Sequence, residues 1–545
     1  MRAALGHILA SVFAVCLGFG QETALTSLSY TPSFEPKFID QSVDPCTNSY
    51  KFACGNWSKL NPIPADKGEW SVTAKLANEN NRLLWGILQQ ASDPKANRTA
   101  NEQKIGDFFH ACMDEAAVER AGWKPLEPAL AKIAAFRSIN DLAPYIAEQQ
   151  KASPDRGVLF ALLSSPDFDN SSQEIAFASA GGFSLPDRDY YTKTDTQSED
   201  IRQKYVQHIA RMFQMLGESA AHARRDAKAA MEIETALAQS SLTRLQKRDP
   251  YNLKHKYSRE ELRRLVPRFD WDAYFTKLGA PAFEQLNVAE PKFFAEMNRQ
   301  LSIQNLSAWR AYLRWRLLRL RAPYLSAGFV KEDFDFYNRY LEGVQQMPAR
   351  WKTCTRLVDQ SLGDALGQVF VAKTFEPQTR ADVLKMTVQI EREMEQDIKD
   401  LQWMSDATRQ HALQKLHGIL NNIGYPEKWR DYSSVQISPD DFFGDVSRAF
   451  EFEMARQLNK IGMPVNRGEW LITPPSTDFY YNPKMNTINF PAGALQPPIY
   501  DPKMDPAPNY CDAGQGIRGF EMPLGHMKGD CNENCVNGRS HSRSE

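Results

Sequence analysis

Past residue 30 the chain has no run of about 18 apolar residues, and that absence excludes a membrane-spanning helix there on length alone. It has almost no net charge: 65 Lys and Arg against 67 Asp and Glu leave −2. A polyanionic partner such as nucleic acid therefore finds no electrostatic footprint. Neither an internal repeat nor a low-complexity tract occurs, which sets aside stacked-repeat architectures. Histidine is scarce, nine in all, and none is followed by Glu-x-x-His. No helix can therefore present two histidines one turn apart with a general base between them. His411 and His417 stand six residues apart, fall on different helix faces and cannot share one ion.

What is present is an ordinary globular composition, 42% hydrophobic and 24% charged over 545 residues. That length exceeds one compact core and predicts two or more lobes. Residues 1–20 read as a secretory signal: Arg2 supplies the positive start, Ile8–Gly20 the apolar core, and Gly18 and Gly20 the small residues of a cleavage site. The apolar core is shorter than the roughly 20 residues of a spanning helix. Val15 stands where lipid attachment at Cys16 would want a small residue. The expected location is outside the cytoplasm, periplasmic or extracellular. Cleavage would leave Cys46, Cys54, Cys112, Cys354, Cys511, Cys531 and Cys535, an odd set that favours disulfides with one thiol left over or paired between chains.

Residues 21–37 are polar and aperiodic and read as a linker. From Asn101, apolar residues Ile105, Phe108, Phe109, Cys112 and Met113 recur at helical spacing. Further amphipathic stretches cover 125–152, 199–217, 220–243, 259–265 and 305–322. In the last, Trp309, Leu313 and Leu317 share a face, and the interspersed arginines read as a solvated surface. Val158–Leu163 and Ile175–Ala178 suggest a small hairpin. A long helix is predicted over Gln378–Leu401 with Pro377 opening it, and another over Asp406–Asn422. Glu391 and Glu395, one turn apart on the first, read as an exposed face with Arg392 and Lys399 rather than as a metal site. The texture changes near 430. A helix near 440–460 follows, then strand-like segments from Trp470 to Phe490. Asn486, Ile488 and Phe490 alternate with Met485, Thr487 and Asn489, the pattern of a strand with two distinct faces.

Six blocks, in order, carry a resemblance: VDPCTNSYKFACGNW (43–57), FFHACMDEAAVERAG around Cys112, GGFSLPDRDYY (181–191), PARWKTCTRLVDQSLGDALGQVF around Cys354, KLHGILNNIGYPEKWRDYS, and GMPVNRGEWLITPP running into TDFYYNPKMNTINFPAGALQPP (477–498). Together they resemble the neprilysin / endothelin-converting-enzyme family of zinc metalloendopeptidases over about Lys37 to Tyr510. The resemblance implies a mainly α fold, a large helical cap domain over 38–430 with a partial α+β thermolysin-like lobe over 431–510. It implies short peptides as partners and a Cys112–Cys354 disulfide inside the cap, worth about 4–5 kcal/mol on the chain-entropy model. In the family Cys46 and Cys54 bridge to cysteines near the far C-terminus.

The resemblance also implies zinc as the cofactor of the intact family, where it activates a water beside the scissile carbonyl. This sequence supplies no catalytic residue and no metal ligand of that set. The expectation is a family member stopping before its zinc motif and silent in peptide hydrolysis; a non-catalytic peptide-binding protein or an unstable gene fragment is the alternative. The substrate strand is placed at Asp478, Phe479 and Tyr480. The family has Asn-Ala where this chain has Asp478-Phe479, and a carboxylate can accept a hydrogen bond but not donate one. Residues 511–545 read as a disordered tail outside the likeness. Cys511, His526, Cys531 and Cys535 there offer zinc-type ligands at a spacing that matches no compact zinc motif.

Overall fold

The computed structural model describes residues 22–32, 35–153, 157–510 and 513–514. The signal read at 1–20 and the tail set Cys511, His526, Cys531 and Cys535 lie outside the described residues. The architecture is mainly helical, with two small mixed sheets set among the helices.

Two helices open the described core, α1 (Val72–Ser92) and α2 (Ala100–Met113). Ser71 caps the first by accepting from the Ala74 N–H; Thr99 and Glu102 form a reciprocal capping box on the second. The amphipathic stretch at 125–152 is interrupted: α3 (Glu127–Ala134) and α4 (Leu142–Lys151) are separate helices. Ser138 and Asp141 start a new turn between them. The hairpin follows, β1 (Phe160–Pro166) antiparallel to β2 (Glu174–Ala180). Next come α5 (Thr196–Met215), α6 (Ala220–Gln239), β3 (Lys256–Ser258), α7 (Trp271–Leu278) and β4 (Gln285–Val288). The four strands form one sheet in the order β1-β2-β4-β3, with only the β2–β4 pair parallel.

Helix α8 (Leu306–Arg321) corrects the reading of its arginines. Arg316 and Arg321 are buried, as are Trp309, Tyr312, Leu313, Trp315, Leu317 and Leu318, so the helix is enclosed on most of its circumference. Arg316 is tolerated there because every nitrogen is used: Nε donates to Val158 O at 3.0 Å, Nη2 to Gly157 O at 3.0 Å and Nη1 to Ser184 Oγ at 2.5 Å. Ser184 in turn donates to the buried carboxylate of Glu234, which also accepts from Tyr191, Tyr205 and Trp315. The GGFSLPDRDYY block is thus the polar centre of a large apolar cluster built from α3–α8 and the first sheet.

A second cluster gathers α1 and α2 with α9 (Arg350–Thr374). A disulfide joins Cys112 on α2 to Cys354 on α9, Cα atoms 5.7 Å apart. Helix α10 (Pro377–Asp400) begins at the proline expected to open it. Helix α11 (Asp406–His417) is shorter than read from sequence, because Leu420–Gly424 forms β5. Helix α12 (Phe442–Leu458) precedes β6 (Tyr480–Asn482) and β7 (Thr487–Pro491). The second sheet runs β5-β7-β6, with β5 parallel and β6 antiparallel to β7. The strand reading from Trp470 is corrected to these two short segments. Met485 and Asn486 belong to the turn between them, Asn486 at φ 51°. All five β7 residues are buried, so the two-faced pattern is replaced by a central strand covered on both sides.

Both clusters draw residues from either side of position 430: Met454, Leu458 and Ile461 enter the first, Ile488, Phe490 and Leu495 the second. Residues 22–32 lie against the helices. Leu25 donates its N–H to Arg82 O, and Tyr30 donates its hydroxyl to Asp501 at 2.6 Å. Cys46 is exposed and free, so it is not paired with Cys54, which is engaged in a disulfide.

Candidate peptide-binding strand

Strand β6 is one of the two outer strands of its sheet, and the chain's own chemistry fixes where it lies. Asn482 starts the turn after it, its Oδ1 accepting from the N–H groups of Lys484 and Met485. Asn486 closes the turn in the left-handed region, which asparagine tolerates better than most residues. Tyr481 donates its hydroxyl to Asn486 Oδ1 at 2.8 Å, and Arg467 donates to the carbonyls of Met485 and Asn486. The resulting register pairs Tyr480 with Asn489 and Asn482 with Thr487. Lys484 reaches from the turn to the first sheet, donating to Ser165 Oγ at 2.8 Å and lying over the rings of Phe168 and Phe177. Burial lowers its pKa.

The approach to β6 is anchored on α9. Gly363 and Gly367, four residues apart, leave a bare strip on that helix. A Cβ at 363 would stand 2.2 Å from Thr473 Cγ2, and one at 367 would stand 2.8 Å from Pro474 Cδ. The helix is also broken locally, with Leu362 at φ −131° and ψ 37°. Thr473 donates to Asp359 Oδ2 at 2.9 Å. Desolvation pushes the Asp359 carboxyl up to about 7 against that hydrogen bond, with Asp364 adding in the same direction. From α1, Asn80 donates to the carbonyls of both Pro475 and Gly493 at 3.1 Å. Buried polar groups thus hold the strand's entry from two helices.

Of the residues read from sequence as substrate-binding, the structure places Tyr480 in β6, its hydroxyl accepting from the Leu471 N–H at 2.8 Å. Burial raises this phenol to about 12. Phe479 lies just before the strand, stacked on Phe490 with centroids 5.1 Å apart. Asp478 is exposed, with its N–H donating to Ser476 Oγ. Asp359, Asn80, Gly363, Gly367 and Lys484 were not singled out from sequence. The G-x-x-x-G spacing in GDALG was the available signal, since two glycines one turn apart mark a face another segment approaches closely.

Among the described residues, no three His, Cys, Asp or Glu side chains are grouped to hold a metal ion. Glu395 faces Lys399 at 2.6 Å and His417 at 3.1 Å on an exposed surface, while Glu391 accepts from Asn421. His208 is buried, its Nδ1 2.9 Å from Glu332 and its ring stacked on Phe336. These donors form isolated pairs, so the described residues do not fit a zinc ion.

Two sequence profiles, each described as Peptidase family M13, match residues 45–426 and 478–532. The chain belongs to peptidase family M13. The second match begins at Asp478, beside the outer strand, and runs past Tyr510 into the segment read from sequence as outside the likeness. Endothelin-converting enzyme 1 of Rattus norvegicus is 27% identical over 501 residues, covering 87% of this chain and 64% of that protein. An endothelin-converting enzyme homolog of Locusta migratoria is 26% identical over 542 residues, 94% of this chain and 74% of its own. The chain therefore spans under two-thirds of the rat enzyme. The crystal structure of the Mycobacterium tuberculosis zinc metalloprotease Zmp1 with an inhibitor matches with TM-score 0.85 and 33% identity, over 90% of this chain and 74% of that one. PepO of Lactobacillus rhamnosis shares the M13 fold, with TM-score 0.77 at 22% identity over 86% and 74%.

Proposed function

We propose that this chain forms the peptide-holding part of an M13 zinc metalloendopeptidase and by itself binds short peptides without cleaving them. The observation that carries the reading is the pairing of a formed outer strand, Tyr480–Asn482, with a sequence that nowhere contains His-Glu-x-x-His. An outer strand offers backbone donors and acceptors to an extended peptide, which is how a sheet edge recruits a further strand. Hydrolysis also needs an activated water, and among the described residues no three His, Cys, Asp or Glu side chains are grouped to hold a metal ion that would activate it. Action outside the cytoplasm is part of the proposal, supported by the Arg2 and Ile8–Gly20 pattern and by the Cys112–Cys354 disulfide.

The test uses the full chain and a quenched fluorescent peptide of eight to ten residues. Saturable binding, no cleavage sensitive to a zinc chelator and less than stoichiometric zinc by mass spectrometry are the expected results. One zinc per chain together with chelator-sensitive turnover would overturn the reading.

A further inference from the structure

A cavity of about 500 Å³ lies between α3, the α5–α6 junction and α8, separate from the second sheet and its peptide strand. Its volume falls in the range that holds small organic ligands. One wall is apolar, formed by Trp123, Leu130, Ile133 and Leu216. The other carries three guanidinium groups, Arg225, Arg310 and Arg314, and two carboxylates, Glu218 and Asp226.

The charges do not balance. Arg314 is paired with both Glu218 and Asp226, and its guanidinium lies over the Phe213 ring. Arg225 shares Asp226, at 3.0 Å. Both carboxylates thus face Arg314 or Arg225, although neither Glu218 oxygen has a hydrogen-bond partner. Arg310, one turn before Arg314 on α8, has no carboxylate partner among the described residues. It donates from Nη2 to the Phe136 carbonyl, and its Nε is out of solvent with no acceptor. Two like charges at i and i+4 repel, and a half-buried cation without an anion is costly. A sequence that keeps Arg310 there, across from an apolar wall, leaves one positive charge to be met from outside.

We propose that this cavity is a binding site for a small organic monoanion with an apolar body, the chemistry of a medium-chain carboxylate. The carboxylate meets the solvent-facing part of the Arg310 guanidinium, and the hydrocarbon lies against Trp123, Leu130, Ile133 and Leu216. Charge-assisted hydrogen bonds supply selectivity for the anion, and apolar burial supplies affinity. The site is independent of the peptide strand and stands or falls apart from the peptidase reading.

Calorimetric titration of the full chain with octanoate tests it. One molecule should bind per chain, and the neutral isostere octanamide should bind at least tenfold more weakly. Arg310→Gln should remove that preference, and Trp123→Ala should weaken octanoate while keeping the preference. If Arg310→Gln does not fold, the wild-type comparison decides alone. Equal affinity for octanoate and octanamide, binding of several molecules per chain, or no binding at millimolar ligand would each overturn the proposal.

Discussion

Glu234 holds four donors around one buried carboxylate, from Ser184, Tyr191, Tyr205 and Trp315. Arg316 reaches the same cluster through Ser184. Glu234→Leu would leave the Ser184, Tyr191 and Tyr205 hydroxyls without this acceptor, Trp315 with only the Tyr205 oxygen, and Arg316 without a compensating charge. Its expected cost is about 3–5 kcal/mol in chemical denaturation. Arg316→Leu should cost a similar amount, and the double variant clearly less than the sum, because each single change strands the other group. Additive losses would show that the two charges are not coupled. Asp359 makes a second prediction at this scale. Its carboxyl is raised from 3.8 to about 7, so the folded state holds a proton that the unfolded state releases. The stability tied to that proton is complete below about pH 4 and is lost as pH climbs to about 7. Asp359→Asn should therefore gain on wild type with rising pH and level off above 7. The gain, discounted for partial exposure, is on the order of 2 kcal/mol. Urea melts from pH 4 to 8 measure the difference, and a flat difference would refute the assignment.

Helix α9 shows how an element carries the site, and also where sequence reasoning stops. Gly363 and Gly367 let Thr473 and Pro474 sit on the helix backbone. Gly363→Ala should displace Thr473, break its bond to Asp359 and cost about 1–3 kcal/mol by overpacking. Peptide affinity should fall with it, since β6 follows directly; unchanged affinity would show that the strand holds its place without α9. The helices with clear periodicity, such as α2 with its capping box and α10 with Pro377 at its start, were legible because local signals and burial agree there. The buried Arg316 of α8 was not, since its partners include the backbone carbonyls of Gly157 and Val158, far away in sequence. The end of α11 was lost to long-range pairing: Leu420–Gly424 joins β7, a contact no local window contains. Alternation through Met485–Phe490 suggested a longer strand because a turn of Asn and Met keeps the same polarity pattern. The strand proposed to bind peptide was read from blocks of family resemblance, whereas its supports, Asn80 and Asp359, are single polar residues within helices and carry no pattern of their own.

At the scale of the whole molecule the two apolar clusters have different dependencies on covalent chemistry. The first, around α5, α6 and α8, contains no cysteine and is centred on the Glu234 network. The second contains Cys112 and Cys354, and their bond closes a separation of 242 residues. Most of the first cluster, from Leu126 to Tyr337, lies inside that loop in sequence. On the chain-entropy account so long a loop is worth about 5 kcal/mol, drawn from the unfolded ensemble. Replacing both cysteines by serine should lower global stability by about that amount. A second effect is local: two hydroxyls would occupy fully buried positions between α2 and α9, where both cysteines are now 0% exposed. Hydrogen exchange separates the two effects. If the bond acts on the unfolded chain alone, protection falls equally in both clusters. If it also clamps α9 to α2, amides of α1, α2, α9 and the β6–β7 pair lose more protection than those of α5, α6 and α8. The geometry favours the second outcome, because Thr473, Pro474 and the entry to β6 rest on α9. Peptide affinity should then weaken in the Cys112→Ser, Cys354→Ser variant under conditions where it remains folded. Equal loss of protection across both clusters, with peptide affinity retained, would confine the disulfide to the unfolded state.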